Sequence, residues 1–175
     1  MLRMYSLDMP YLDQWEFAVL LGKSYEGHLD FQDFWKLHNE HRVLFPRIFL
    51  LLLARLSHWN LLWELAANLL LGVVIFGVFL YIWRRAAGRC GYGGFTPVDS
   101  WVAVLMSLLS FSMSQWQNWF VGWQAAEFIQ LLAVLFGLIL LDTDHPVAGR
   151  IAGAAVLGFV ATFSFASGLV FWPVG

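Results

Sequence analysis

Residues that could carry out acid–base or binding chemistry are concentrated near the start of this 175-residue chain. The segment FWKLHNEHRVLFPR places His38, Glu40 and His41 close together, and Arg42 and Arg47 follow them. On a helix, the two histidines would share one face at i, i+3 spacing. Three interpretations stay open: a hydrogen-bonded cluster that anchors the chain, an acid–base or substrate-binding site, and a metal site. The metal interpretation is the weakest, because the pattern is neither HExxH nor its inverted form.

Two carboxylates precede this segment in the sequence YLDQWEF. Asp13 and Glu16 are three positions apart and would share one face of a helix. Paired carboxylates suit general-base catalysis or cation binding, whereas a solvated helix face with the same residues has no chemical role. A divalent cation is therefore the one cofactor that stays open, and its ligands are undetermined.

A second group with binding potential is the sequence QWQNW. Aromatic rings beside amide side chains can hold a sugar through stacking and hydrogen bonds. An anchor at the membrane interface would have the same composition. The candidate substrate-binding residues here are Gln115, Trp116, Asn118 and Trp119.

Glu64 and Glu127 lie inside apolar runs of the sequence. An acid inside a membrane is costly and usually faces the protein interior or water. Each belongs to a polar stripe at helical spacing, formed by Asn60, Glu64 and Asn68 and by Gln124, Glu127 and Gln130. The stripes predict polar contacts between helices or with a cavity, and a proton or ion relay is the alternative.

The composition indicates a membrane protein. Hydrophobic residues make up 60% of the chain and charged residues 13%, with a mean hydropathy of +0.67. A soluble domain usually has about 25% charged residues. The net charge of -2 offers no basic surplus for a nucleic-acid partner. Cys90 is the only cysteine, which excludes an intramolecular disulfide.

The elements that must position these residues follow from the apolar runs. We predict an all-α integral membrane helical bundle with about four transmembrane helices, at about 61–83, 98–120, 121–141 and 151–172. The apolar run within 43–57 is too short to span and predicts an interfacial helix. Residues 1–57 then form an N-terminal extracytoplasmic helical region, and residues 58–175 form the transmembrane region.

Small residues repeat every four positions in the last predicted span. This spacing predicts close packing between helices within the chain. Homodimerisation through Gly149 and Gly153 is the alternative, and Ala154 and Gly158 continue the pattern.

The arginines predict the orientation of the bundle. The first loop between spans contains Arg84, Arg85 and Arg89, the third contains Arg150, and the middle turn contains no Lys or Arg. The positive-inside rule places the first and third loops in the cytoplasm. The N-terminal region and the C-terminus would then be extracytoplasmic.

Five segments together resemble one group of proteins. They are YLDQWEF, FWKLHNEHRVLFPR, WN followed by Glu64, QWQNWFVGWQ and FSFASGLVFWPVG. The chain resembles polytopic bacterial membrane proteins related to GT-C glycosyltransferases, which use polyprenyl-phosphate sugars. The resemblance covers nearly the whole chain, and HNEHR-x3-PR is its most specific motif.

The resemblance implies a location and roles for the residues. It implies the bacterial inner membrane, membrane lipids as surroundings and a polyprenyl-phosphate sugar as substrate. Asp13 would be the base, Glu16 and Glu40 further catalytic acids, and the arginines would bind phosphate. His38 and His41 would join Arg42 and Arg47 in binding the substrate.

The chain departs from the pattern of these enzymes at both ends. A GT-C enzyme begins with a span before the acidic loop and has further spans after the position of Gly175. We therefore expect either part of a larger enzyme or a shortened relative. The alternative function is a non-catalytic accessory or structural subunit, whose partners would be the other subunits of a larger membrane complex.

Overall fold

The chain folds into α-helices joined by short connections. The computed structural model describes residue 10 and residues 14–39, 41–92, 94–143 and 147–174. In this part of the chain the helices are α1 (Gln14–Glu26), α2 (Phe31–Trp35), α3 (Leu44–Ser57), α4 (Leu61–Arg89), α5 (Pro97–Ser110), α6 (Trp116–Phe120), α7 (Ala125–Leu141), α8 (Ala148–Thr162) and α9 (Phe171–Val174). Short 3-10 turns cover Met113–Gln115, Gly122–Gln124 and Ala166–Val170. No strand occurs among these described residues, and the all-α class is confirmed.

Three segments are long and apolar enough to cross a membrane, namely Leu61–Arg89, Pro97–Phe120 and Gly122–Leu141. The longest is α4, which at 1.5 Å per residue reaches about 43 Å. Its start is capped by Asn60, whose side chain accepts a hydrogen bond from the amide of Leu62. The helix continues six residues beyond the predicted 61–83, so its last turns extend past a hydrocarbon core of about 30 Å.

The second segment is not one continuous helix. α5 starts at a capping box in which the Thr96 and Asp99 side chains each accept a backbone hydrogen bond from the other residue. α5 ends at Ser110, ten residues before the predicted end of this span, and the short α6 covers the rest after a 3-10 turn. Ser112 then accepts a hydrogen bond from the amide of Ser114 at 3.2 Å, which stabilises a turn in place of a helix.

The fourth predicted span also differs. α8 has 15 residues and reaches about 22 Å, and it is followed by a 3-10 turn and the short α9. The indole Nε1 of Trp172 donates to the Thr162 hydroxyl at 2.9 Å, so the chain folds back on α8. Gly168 permits this reversal, since a Cβ there would lie 2.8 Å from the Thr162 amide nitrogen.

Small residues in α7 and α8 accommodate the returning segment. Cβ atoms at Gly137 and Gly158 would each lie about 2.6 Å from the Phe171 ring, so this ring occupies the slot between them. Ala154 is buried in the same helix pair. The structure therefore uses part of the small-residue pattern for packing within the chain, whereas Gly149 has open space around it.

The N-terminal region packs against one end of the bundle. α1 and α3 contribute buried residues to a shared core with Trp123, namely Phe17, Leu20, Leu21, Leu50, Leu51 and Ala54. The helix predicted within 43–57 forms as α3, with Leu52 and Leu56 on its exposed side, and its position at the membrane interface stays a prediction. Two left-handed residues, His58 and Trp59, turn the chain from α3 into α4.

Asp142 is one of the carboxylates that hold the opposite end of the bundle together. Asp142 follows α7, and its side chain accepts from Arg85 Nε at 2.8 Å and from Arg89 Nη1 at 2.5 Å. Arg85 Nη2 also donates to the Asp142 carbonyl at 2.7 Å. These contacts bring the first and third loops to the same end of the bundle, opposite the N-terminal region.

Replacing this carboxylate should loosen the loops in a pH-dependent way. The hydrogen bond from Arg89, supported by the charges of Arg89 and Arg85, lowers the pKa of Asp142 below its ordinary 3.8. A carboxylate whose pKa is lowered by folding stabilises the folded state at pH values above its ordinary pKa. This stabilisation is lost as the pH falls through the lowered pKa. We expect Asp142→Asn to lower the thermal unfolding midpoint in detergent at neutral pH and to lose this acid-dependent contribution. Glu26→Gln changes an exposed carboxylate and is the matched control; equal midpoints for wild type and Asp142→Asn would contradict the expectation.

Candidate functional site

Two polar side chains and a glycine, from three parts of the chain, meet at the start of α4. The Gln14 amide donates to the Glu64 carboxylate at 2.8 Å, and both side chains are buried. Gly122 lies directly against this pair, since a Cβ there would be 2.7 Å from Gln14 Nε2 and 2.8 Å from Glu64 Cβ. The pair therefore joins α1, α4 and the segment that leads into α7.

One turn further along α4, a fully buried amide extends this polar region. Asn68 Nδ2 donates to the Val121 carbonyl at 2.9 Å and to the Asn118 carbonyl at 3.4 Å. Gln124 in turn donates to the Asn118 side chain at 3.2 Å. Asn68, which belongs to the first predicted polar stripe, thus contacts the segment before α7. Glu127 of the second stripe is half-buried, and its side chain forms no hydrogen bond with a described side chain.

A histidine–carboxylate pair lies beside this region. His38 Nδ1 is 2.9 Å from Glu16 Oε2, and the two residues are 22 positions apart in the chain. The histidine side chain is 3% exposed and the carboxylate 64% exposed. The Trp123 ring centroid lies 4.7 Å from that of His38. The pair therefore combines a fixed imidazole with a carboxylate that solvent or a substrate can reach.

His38 and His41 are not on a helix, which corrects the predicted arrangement. α2 ends at Trp35, and the two histidines exchange backbone hydrogen bonds of 2.8 and 3.2 Å across a turn. Asn39 enters the left-handed region at φ 51°, which a helix does not allow. The two rings still lie 6.2 Å apart, and His41 packs on Phe165.

Two predicted phosphate ligands hold the backbone of this turn. The Arg47 side chain is 4% exposed, and its Nη1 donates to the Phe34 carbonyl at 3.1 Å and the Lys36 carbonyl at 2.5 Å. Burial lowers the pKa of Arg47, and the charges of Glu16 and Asp33 oppose that shift.

Arg42 is engaged in a similar way. Its Nε donates to the Trp35 carbonyl at 3.1 Å, and its guanidinium lies 4.9 Å from the centre of the Trp35 ring. That ring in turn stacks on Phe163 at 5.1 Å. Arg42 therefore ties the turn to the C-terminal segment, and phosphate binding by both arginines stays a prediction.

The residues of the sequence QWQNW are exposed or half-buried, and none of them is fully buried. Trp119 stacks between Phe111 and Phe128 at 5.5 and 5.6 Å. Gln115 donates to a carbonyl of α5 and accepts from Asn118 at 3.2 Å. Trp116 is exposed. Sugar binding by these four residues stays a prediction.

A small cleft lies next to the histidine–carboxylate pair. Its lining residues are Glu16, Phe17, Leu20, Lys36, Arg47 and Trp123. Sequence reasoning missed Lys36 and Trp123, because their place in the cleft depends on contacts between distant segments. Asp13 and Glu40, two predicted catalytic acids, lie outside the described residues.

The described residues contain no group of three His, Cys, Asp or Glu side chains placed to hold a metal ion. Comparison with protein-family models, curated proteins and solved structures finds no match.

The close approach at Gly122 generates a stability prediction. A methyl group in Gly122→Ala must displace the Glu64 carboxylate from the Gln14 amide, and overpacking of this kind costs about 1–3 kcal/mol. Gly77→Ala is the matched control, since a Cβ there meets nothing within 4 Å. We expect a lower unfolding midpoint for Gly122→Ala, followed by tryptophan fluorescence in detergent, and no loss for Gly77→Ala. Matching midpoints in the two variants would show that Gly122 is not a packing constraint.

Proposed function

We propose that this chain belongs to the GT-C-like glycosyltransferase lineage and transfers a sugar from a polyprenyl-phosphate donor on the extracytoplasmic side. The observation that supports this best is the pairing of the exposed Glu16 carboxylate with the buried His38 imidazole at 2.9 Å. The carboxylate would accept the proton of the acceptor's hydroxyl group. The oxygen of that hydroxyl would then attack the anomeric carbon of the sugar as the polyprenyl phosphate leaves. His38 would orient the carboxylate through their hydrogen bond.

The resemblance implies Asp13 as the base, so Asp13 stays the alternative to Glu16 for that role. It lies three positions before Glu16, in the segment that leads into α1. Glu40 is the third proposed acid and is next to His41 in the sequence. Glu16 is the member of the set whose surroundings the structure describes.

The proposed orientation supports an extracytoplasmic reaction. The cytoplasmic face of the bacterial inner membrane would carry the loops joined by Asp142, which contain Arg84, Arg85 and Arg89. The N-terminal region lies at the other end of α4, about 43 Å away, and would rest on the outer leaflet.

Glu16→Gln tests the proposed chemistry. The amide cannot accept a proton, so we expect transfer of radiolabel from a polyprenyl-phosphate hexose to fall by at least about 100-fold. Asp13→Asn is tested in parallel. Glu26→Gln removes an exposed carboxylate from the last turn of the same helix and should leave transfer unchanged. Full activity in Glu16→Gln at normal protein levels would remove Glu16 from the mechanism.

A second candidate function is an accessory subunit, and the exposure of α5 supports it. α5 belongs to the candidate span Pro97–Phe120, of which only 6% is buried within the chain. The buried shares of the other two candidate spans are 22% and 28%. Trp101, Leu105 and Leu109 are among its exposed side chains. Such a helix would be covered either by lipid or by the helices of another subunit.

Photocrosslinking in native membranes distinguishes contact of α5 with lipid from contact with another subunit. A crosslinker placed at Leu105 should capture protein if α5 docks on another subunit, and the same adduct should be absent when the crosslinker is at the outward-facing Leu56 of α3. Lipid adducts alone at Leu105, in a chain that migrates without partners, would end the subunit hypothesis.

A further inference from the structure

A cavity of about 390 Å³ lies between the last turns of α4 and the first turn of α5. It is at the arginine-rich end of the bundle, opposite the histidine–carboxylate pair. A helix needs about 20 residues to cross the hydrocarbon core, and α4 has 29, so its last turns lie at the level of the head groups. The cavity is therefore at the depth where head groups meet the acyl chains of one leaflet.

The walls of this cavity are mainly apolar. They include Ala86, Ala87 and Val98, together with the aromatic residues Trp83 and Tyr92. Ligand sites in proteins typically have this size and this kind of lining. Water would find few hydrogen-bonding partners on such walls, whereas an acyl chain would remove their apolar surface from water.

Two polar residues of the lining, Thr96 and Asp99, already have partners within the chain. The Asp99 carboxylate accepts from the Trp83 indole Nε1 at 2.9 Å. It also accepts from the Thr96 amide and hydroxyl at 2.7 and 2.8 Å, and Arg84 Nη1 lies 2.8 Å from it. The buried carboxylate is thus satisfied by the protein and does not require a polar occupant in the cavity.

The arginines at this end outnumber the carboxylates that pair with them. Arg85 and Arg89 share the Asp142 carboxylate, and Arg84 pairs with Asp99. Three cations therefore face two anions among these described residues. A further anion would be attracted to this end of the bundle.

The surplus remains when both loops are counted in full. Residues 84–99 and 142–150 contain four arginines and three aspartates, which gives one positive charge with histidine neutral. Arg89 brings that charge next to the cavity, since it lies three residues after Ala86 on α4 and its side chain is 54% exposed. Arginine forms charge-assisted hydrogen bonds with phosphate, and basic pockets between transmembrane helices bind anionic head groups.

We propose that this cavity binds an anionic phospholipid from the leaflet at this end of the bundle. One acyl chain would lie against the apolar walls, and the head-group phosphate would lie beside Arg89. A free phosphate would gain nothing from the apolar walls, and a neutral apolar molecule would gain nothing from the arginines, so a phospholipid fits both features. The site is separate from the proposed transferase site, because the two lie at opposite ends of the bundle.

Competition between two lipids tests this proposal by native mass spectrometry. The protein in detergent is incubated with equal amounts of phosphatidylglycerol and phosphatidylcholine that have the same acyl chains, and the lipid adducts are then weighed. We expect the phosphatidylglycerol adduct to exceed the phosphatidylcholine adduct about fivefold, because one arginine near an anionic head group contributes about 1 kcal/mol. The measurement needs no sugar transfer, so its failure is distinguishable from a failure of Glu16 as a base.

Two variants at neighbouring positions locate the bound lipid. Ala87→Trp places a large ring in the cavity and should abolish the preference for phosphatidylglycerol. Gly88→Trp is the matched control, since Gly88 does not line the cavity and a Cβ there meets nothing within 4 Å. This control should keep the preference of the wild type.

A third variant tests the contact with the head group. Arg89→Gln removes the surplus charge while Arg85 still pairs with Asp142, so both lipids should bind and their ratio should fall towards one. An unchanged unfolding midpoint in each variant shows that folding is intact.

Three results would overturn the proposal. They are equal adducts of the two lipids on the wild type, a preference that survives in Ala87→Trp, and a complex with a protein partner that carries no lipid adduct. The first and the third are read on the wild type alone, so they do not depend on how any variant folds.

Discussion

Glu64 and Asn68 are polar side chains buried near one end of a helix that is long enough to cross a bilayer. Lipid offers them no hydrogen-bonding partner, and leaving such groups unsatisfied is costly. Partners come from other segments: the Gln14 amide donates to Glu64, and the Asn68 amide nitrogen donates to the Val121 and Asn118 carbonyls. This requirement fixes the N-terminal region on the end of the bundle.

The position of the candidate site follows from that contact. Gln14 begins α1, and Glu16 lies in the first turn of the same helix, so the bond to Glu64 also locates Glu16. His38 reaches it from the turn that Arg47 holds by its backbone. A buried acid of the transmembrane region thus supports an exposed acid at the surface, which gives Glu64 a structural role without requiring an ion relay.

The length and composition of the apolar runs were sufficient to predict the helical class and three spans, because bilayer thickness sets the length of a crossing helix. The interruption after Ser110 and the reversal after Thr162 were not predicted, since they depend on a serine turn and on the close approach at Gly168.

Within the site, Glu16 and His38 were both recognised as candidates, but their pairing joins positions 22 residues apart, which no local pattern records.

Topology is the most direct test of the account, since the proposed site must face the opposite side of the membrane from the arginine-rich loops. Cys90 is exposed at the end of α4 and is the only cysteine, so it reports on the first loop without any substitution. Cys90→Ala combined with Gln32→Cys moves the thiol to the exposed side of α2. A membrane-impermeant maleimide should label the Gln32→Cys protein in intact cells, and Cys90 only after permeabilisation. Labelling of both thiols from one side would contradict the crossing, and labelling of Cys90 alone in intact cells would contradict the orientation.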